Sequence, residues 1–365
     1  MTTERRRFIA TAGGVVAAAA AAGIIDAPNV IALPKVQWRL STTWPPALDV
    51  LQGSAQRLAK VVEEMSGGRF RIEVFPSGQI VPPFECFDAT SKGTVEAFMG
   101  VSSYWAAKEP AFEWFMTVPF GMNPEGMAAW YYQGDGLKLW EEAYGAFNLV
   151  PRPGPAFAPQ MGGWFRKKIT TTGDYKGLKI RIAGLGGKVI ARAGGTAVLT
   201  PAAEIYAALE RGLIDAAEWV GPHDDMKLGL HKTARYYYYP GWHEPGTTNE
   251  FGFNKKAYEA LPIDLRRTLD HAAAAVNVYG LTDYHTKNAI AFERLRTEFK
   301  GKVEIVQFPA PALRELKKLS AEVVQEESEK TPMARKVHAS FTKFQALVGP
   351  WDHVAEGAYH QFVAV

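Results

Sequence analysis

The chain has 365 residues, 47% hydrophobic and 22% charged, with 41 basic against 38 acidic side chains and a formal net charge of +3. That length fits two domains, and mixed charge without a long basic block argues against a nucleic-acid partner. The lone cysteine, Cys86, excludes an intramolecular disulfide and a zinc cluster, and is expected to be a small buried hydrophobe.

Arg5-Arg6-Arg7-Phe8-Ile9 is followed by an alanine-dominated run to Ile25 and by short side chains at Val30-Ile31-Ala32. This pattern predicts an export signal of the twin-arginine type over residues 1–32, and hence a periplasmic mature chain. A membrane anchor is the alternative, but the run lacks the bulky apolar side chains of a stable spanning helix.

Val36 to Thr43 predicts a first strand, stopped by Trp44-Pro45-Pro46. Leu51, Ala55, Leu58, Val62 and Met65 recur at helical spacing, and Gly67-Gly68 ends that helix. Arg69 to Val74 alternates polar with apolar, as a half-buried strand does. A long helical stretch is expected from about Glu125 to Phe147. A second strand-helix series follows, with strands at Trp164–Ile169, Leu178–Ile182, Thr196–Thr200, Leu213–Val220 and Arg235–Pro240. Helices are expected from Lys188 to Ala193 and from Pro201 to Leu209. A return strand, Glu250–Asn254, leads into a helix marked by Leu261, Leu265, Leu269, Ala272 and Val276. From Pro311 onward the pattern is helical, and Val337, Phe341, Phe344, Val348, Trp351 and Val354 form a stripe that suits either a core or a partner face.

Two blocks of βα units predict an α/β protein with two lobes. Ligands in such folds sit beyond the carboxyl ends of strands and between domains. Arg181 and the pair Glu218-Trp219 both lie at carboxyl ends, which makes them candidates for a cleft.

Nucleotide and enzyme motifs fail on particular residues. Gly184-Leu185-Gly186-Gly187-Lys188 invites a dinucleotide or P-loop reading, but Val189 and Ile182 stand where the fingerprints need other residues. It is better read as a glycine turn that lets backbone approach a lobe junction. His223-Asp224-Asp225 is read as a polar turn and helix cap after Gly221-Pro222 rather than a metal site. No His-Glu-x-x-His or Gly-x-Ser-x-Gly pattern occurs.

Asp174-Tyr175-Lys176-Gly177-Leu178-Lys179-Ile180-Arg181 resembles the D-x-K-G-L-K-I-R segment of the periplasmic solute-binding subunits of tripartite ATP-independent periplasmic (TRAP) transporters. The stretch from Pro201 to Ala216 is similar to that family's P-x-x-E-x-Y-x-A-L-x-x-G-x-I-D-A segment. Tyr236-Tyr237-Tyr238-Tyr239-Pro240-Gly241-Trp242 looks like the branch that binds 2-oxo and 2-hydroxy monocarboxylates together with a metal cation.

The resemblance implies a two-lobed periplasmic binding protein, not an enzyme, with a long connecting helix and an extended C-terminal helical region. Lobe I would comprise residues 33–158 plus about 247–285, and lobe II residues 159–246 plus about 286–310. Residues 311–365 would form the C-terminal region, which in this branch can make a homodimer. Arg181 would grip the substrate carboxylate, a role suited to a planar, permanently charged fork. Gln160, Glu218, the Trp219 carbonyl and Glu244 would hold one cation, sodium or calcium, through hard oxygen donors. The Trp219 ring would wall the ligand's apolar tail. Tyr104 would face the ligand from the first lobe, with Trp105 and Trp44 lining the same cleft. Two glutamates and a substrate carboxylate bring three negative charges against one from Arg181, so the cluster calls for a cation. The expected partners are a small organic acid anion and the membrane subunits of a TRAP permease. Two rivals stay open at this point: metal-free binding of a dicarboxylate or sugar acid, and a secreted metal-dependent lyase or hydrolase using Glu218 as base.

Overall fold

A computed structural model describes residues 35–363, and the expected export signal at 1–32 lies outside the described residues. The alternation at the start of the chain forms β1 (Val36–Thr42), with Trp38 and Leu40 buried and Gln37 and Arg39 exposed. The helical repeat buries Leu51, Ala55, Leu58 and Val62 on one side of the Asp49–Met65 helix. Gly67 and Gly68 end that helix at φ of 61° and 76°, where residues with a Cβ are strained.

Strands β2 (Phe70–Phe75), β3 (Ala97–Gly100) and β4 (Leu149–Phe157) follow, then β5 (Gly163–Phe165), β6 (Lys179–Arg181), β7 (Thr196–Val198), β8 (Ala216–Ala217), β9 (Tyr236–Tyr239), β10 (Thr247–Asn254) and β11 (Glu304–Gln307). They make a five-stranded sheet of order β2-β1-β3-β10-β4 and a six-stranded sheet of order β11-β9-β5-β8-β6-β7. The chain passes from the first sheet to the second after β4 and returns as β10. It re-enters the second as β11 after the Ile263–Thr297 helix. This is the two-lobed α/β architecture with a long helix that the sequence implied.

The long helix has 35 residues, about 52 Å at 1.5 Å per residue. It lies against β4 through small and polar contacts. Asn277 Nδ2 donates to the Gly154 carbonyl at 2.6 Å, and a Cβ added at Gly280 would fall 2.3 Å from Pro155 Cβ. Gly280→Ala should therefore push helix and strand apart and cost about 1–3 kcal/mol. A fall of a few degrees in the thermal midpoint reports this; an unchanged midpoint would deny the contact.

Several expected elements are shorter or broken. The helix expected over 125–147 is two, Pro124–Tyr132 and Gly136–Gly145. The chain turns over Trp130 between them: a Cβ at Gly134 would meet the Trp130 carbonyl at 2.8 Å, and one at Gly136 would meet the Trp130 ring at 2.7 Å. The fold-back stacks Phe115 between Trp130 and Trp140, with centroids at 6.0 and 5.2 Å. The Trp164–Ile169 strand stops at Phe165. The helix expected from Lys188 already begins at Gly184, so the glycine run is a first turn rather than a loop. Its close approach is real, because a Cβ at Gly186 would sit 2.8 Å from His243 Cβ.

The strand expected over Leu213–Val220 is reduced to Ala216 and Ala217, although Asp215 and Glu218 amides still donate to the carbonyls of Lys179 and Arg181. Leu213 is exposed, while Glu218 and Trp219 leave the sheet and turn inward.

Cys86 is buried as expected, and burial pushes its thiol up to about 11. The C-terminal stripe divides along the Pro332–Asp352 helix and the His353–Gly357 turn that follows it. Val337 and Phe341 are buried and Phe344 and Val348 pack against the same core, whereas Trp351 and Val354 are exposed.

Candidate functional site

Between the two sheets, the chain ends of several strands converge on one small cavity. Trp44 follows β1, Tyr104 follows β3, Arg181 ends β6, and Glu218 and Trp219 follow β8. Gln160 comes from the crossing between β4 and β5, and Glu244 from the turn between β9 and β10. The cavity measures about 30 Å³, against roughly 10–15 Å³ for one water on the same measure. It suits a guest of only a few non-hydrogen atoms.

Arg181 is 2% exposed, and its Nη1 donates to the Glu218 carbonyl at 2.8 Å while lying 3.6 Å from Glu218 Oε2. Its Nε donates to the Thr200 carbonyl at 3.3 Å. The guanidinium carbon lies 4.6 Å from the centroid of the Trp219 ring. Trp219 thus braces the arginine as well as lining the cavity. Backbone bonds and stacking fix the guanidinium without saturating its five donors.

Gln160 and Glu244 face each other across two chain crossings. Gln160 Nε2 donates to Glu244 Oε2 at 2.7 Å, and Thr247 Oγ1 donates to the same oxygen at 2.7 Å. Gly241 makes this approach possible, since a Cβ there would fall 2.3 Å from the Gln160 carbonyl oxygen. The amide is oriented so that Gln160 Oε1 is buried without a hydrogen-bond partner, as are both carboxylate oxygens of Glu218, although Arg181 lies within ion-pair reach of the latter. Buried acceptors left unpaired are costly. Three such oxygens on two side chains that line the same cavity fit a cation, and the ligand atoms of Glu218, Glu244 and His243 lie within 4.8 Å of one another. Amide and carboxylate oxygens are the donors a hard cation takes.

The electrostatics follow from burial. Burial pushes the Glu218 carboxyl up to about 8 despite the neighbouring Arg181. Glu244 is likewise pushed up to about 8, by burial first and by the charge of Glu218 second. Burial also raises the Tyr104 hydroxyl, while the Arg181 guanidinium beside it pulls the other way.

The cavity brings together Tyr104, Gln160, Arg181, Glu218, Trp219, Glu244 and Trp44. Trp105 is elsewhere. It is 3% exposed, packs on Phe98 and Phe87, and donates its Nε1 to the Phe84 carbonyl. One residue after Tyr104, its side chain turns to the opposite side and joins the aromatic core.

Sequence reasoning missed His243, Thr247 and Asn249. His243 Nε2 stands 3.4 Å from Glu218 Oε1, and burial lowers its imidazole to about 4. Thr247 and Asn249 line the cavity from alternate positions of β10. Their period-2 spacing was the available signal. His223-Asp224-Asp225 is not the cap expected: it lies inside the Pro222–Lys227 helix, whose N-cap is Gly221, with Asp224 and Asp225 buried. Asp225 accepts from the amides of Val220 and Gly221, from Trp164 Nε1 and from Tyr237, and so fixes the chain just beyond Trp219.

Comparison with known proteins agrees with this geometry. Residues 40–331 match the family model described as bacterial extracellular solute-binding protein, family 7. The chain is 40% identical over 332 residues, 91% of its length and 90% of the relative's, to a monocarboxylate 2-oxoacid-binding periplasmic protein of Nostoc sp.. Among solved structures, a TRAP transporter solute-binding protein of Bordetella bronchiseptica is 38% identical with a TM-score of 0.87, covering 90% of this chain and 97% of that one. It is described as a mixed-occupancy dimer with copurified calcium and picolinate in one active site. A TRAP periplasmic solute-binding protein of Pseudoalteromonas atlantica, with bound sodium and pyruvate, is 37% identical at a TM-score of 0.87, covering 90% of this chain and 99% of that one. A match this long, on a fold whose strand ends close over one buried cavity, makes the chain a member of the bacterial extracellular solute-binding proteins of family 7, the periplasmic solute-binding subunits of TRAP transporters.

Proposed function

We propose that the protein binds a small 2-oxo or 2-hydroxy monocarboxylate, pyruvate- or lactate-like, together with one cation, sodium or calcium, and delivers it to a TRAP permease. The observation that carries this reading is the cavity itself. A fixed guanidinium stands beside amide and carboxylate oxygens that lack hydrogen-bond partners, in one small cavity. The relatives from Nostoc, Bordetella and Pseudoalteromonas, named for 2-oxo acids, picolinate or pyruvate, with calcium or sodium in the two solved structures, support it.

Arg181 takes the acid's carboxylate, and Tyr104 adds a hydroxyl from the first lobe. Gln160, Glu218, the Trp219 carbonyl and Glu244 hold the cation. When bound, the cation supplies the positive charge that lets two glutamates and an acid anion share one dry site. The lobes have the boundaries expected above, 33–158 with about 247–285 and 159–246 with about 286–310. Ligand favours the form in which they are closed. The twin-arginine signal exports the chain, and residues 311–365, with Trp351 and Val354 outward, join two copies in a homodimer.

Calorimetric titration of the mature protein in calcium buffer tests the substrate class. Pyruvate or lactate should bind at least tenfold more tightly than succinate or gluconate. A preference for the dicarboxylate or the sugar acid would refute the reading.

A further inference from the structure

We propose that two charged clasps between the lobes, centred on Asp49 and Lys188, hold the closed form and set how long a bound acid stays. Asp49 opens the helix that follows β1, in the first lobe. Its carboxylate meets His223 Nε2 at 2.8 Å and Lys227 Nζ at 3.2 Å, both on the second-lobe helix Pro222–Lys227. It also meets Lys287 Nζ at 3.0 Å, on the long helix. One side chain thus ties both lobes to the element that connects them. Burial pushes the Asp49 carboxyl up, but hydrogen bonds from His223, Lys287 and Lys227 outweigh it and hold the group well below the usual carboxylate range.

Lys188, on the Gly184–Arg192 helix of the second lobe, reaches Glu113 Oε1 at 2.8 Å in the first lobe and Glu327 Oε2 at 2.8 Å in the C-terminal region. Glu113 is only 2% exposed, so opening the lobes would bare a carboxylate now neutralised by Lys188.

Among the described residues, the ion pairs that join a first-lobe segment directly to a second-lobe segment are Asp49–Lys227, Asp49–Lys287 and Glu113–Lys188, and Asp49 also shares a hydrogen bond with His223. None of these six residues lines the cavity, yet each clasp adjoins it. Asp49 stands two residues from Leu51, His223 three from Val220, and Glu113 three from Met116. They are placed to act on closure and not on contact with the guest. Asp49 and Lys188 are both partly exposed, at 42% and 35% of their side chains. The effect should therefore be moderate and screened by salt.

The inference rests on closure of the lobes over the acid, and the test separates the two ideas. Stopped-flow fluorescence of the full mature protein gives koff for pyruvate in calcium buffer. Asp49→Asn and Lys188→Met should each raise koff about three- to tenfold, with kon nearly unchanged and thermal midpoints close to wild type. Asp49→Glu, which keeps the charge, should stay near wild type. Raising salt should speed release from wild type more than from Asp49→Asn. Small-angle scattering of wild type should show compaction when pyruvate is added; its absence would contradict closure itself. Compaction in wild type with unchanged koff in both variants would overturn the clasps alone. Lys227→Met, which removes one exposed partner of Asp49, should show a smaller rise in koff, and none would count against the Asp49 clasp.

Discussion

Arg181→Ala should reduce affinity for pyruvate by on the order of 100–1,000-fold while leaving a folded protein, because truncating one side of a buried charge pair costs about 2–5 kcal/mol. Arg181 is the one guanidinium in the cavity wall, and its geometry is set by the Glu218 carbonyl, the Thr200 carbonyl and the Trp219 ring, all in its own lobe. Arg181→Lys separates charge from shape. It keeps the cation and loses the planar fork and the stacking, so it should recover only part of the affinity. Titration calorimetry reads both variants, and circular dichroism checks the fold. Full affinity in Arg181→Ala would remove this side chain from the site.

Glu218→Gln should weaken cation binding by on the order of 100-fold, since the substitution removes one of the two formal charges available to a hard ion. Acid affinity should fall with it, and an excess of chelator should do the same to wild type. The pH dependence has a definite sign. With both glutamates pushed up to about 8 by burial, the folded cation-free protein keeps protons that the unfolded chain has released. Its stability should therefore fall as pH rises from the ordinary carboxylate range towards 8. A bound cation takes the place of those protons. The rise in thermal midpoint on adding calcium should then be small near pH 5, grow through the window and level off above about pH 8. A calcium effect of equal size at both ends would show that Glu218 and Glu244 do not hold the ion.

Much of the fold is legible because burial imposes a period. β1, the first helix and the start of the long helix carry repeats that the structure buries, except that Met65 is exposed and Leu261 lies just before the long helix. The failures share a cause: contacts made by residues far away in sequence. Between Glu125 and Phe147 the Gly134-Asp135-Gly136 run was the available signal for a break, while the fold-back over Trp130 depends on the stack of Phe115 between Trp130 and Trp140. The Leu213–Val220 run looks like a full strand, yet its last residues are needed at the cavity and leave the sheet after Ala217.

The site was partly legible for a different reason. Arg181 and Glu218 could be marked from their places at strand ends, which fix direction through the alternation of the strand. Gln160 and Glu244 could not. They are 84 residues apart, and their contact depends on Gly241 admitting the Gln160 backbone. Only the family resemblance pointed to them. Tyr104 and Trp105 show the limit at one-residue scale. Both follow the same strand, and the 3₁₀ turn at Ser102–Trp105 sends the first towards the cavity and the second into the core.

The most direct measurement is a crystal structure of the protein grown with calcium and pyruvate. The acid's carboxylate should lie against the Arg181 guanidinium, and the ion within bonding distance of Gln160 Oε1 and of the Glu218 and Glu244 carboxylates. Pyruvate bound away from Arg181, or an ion that none of these oxygens touches, would contradict it.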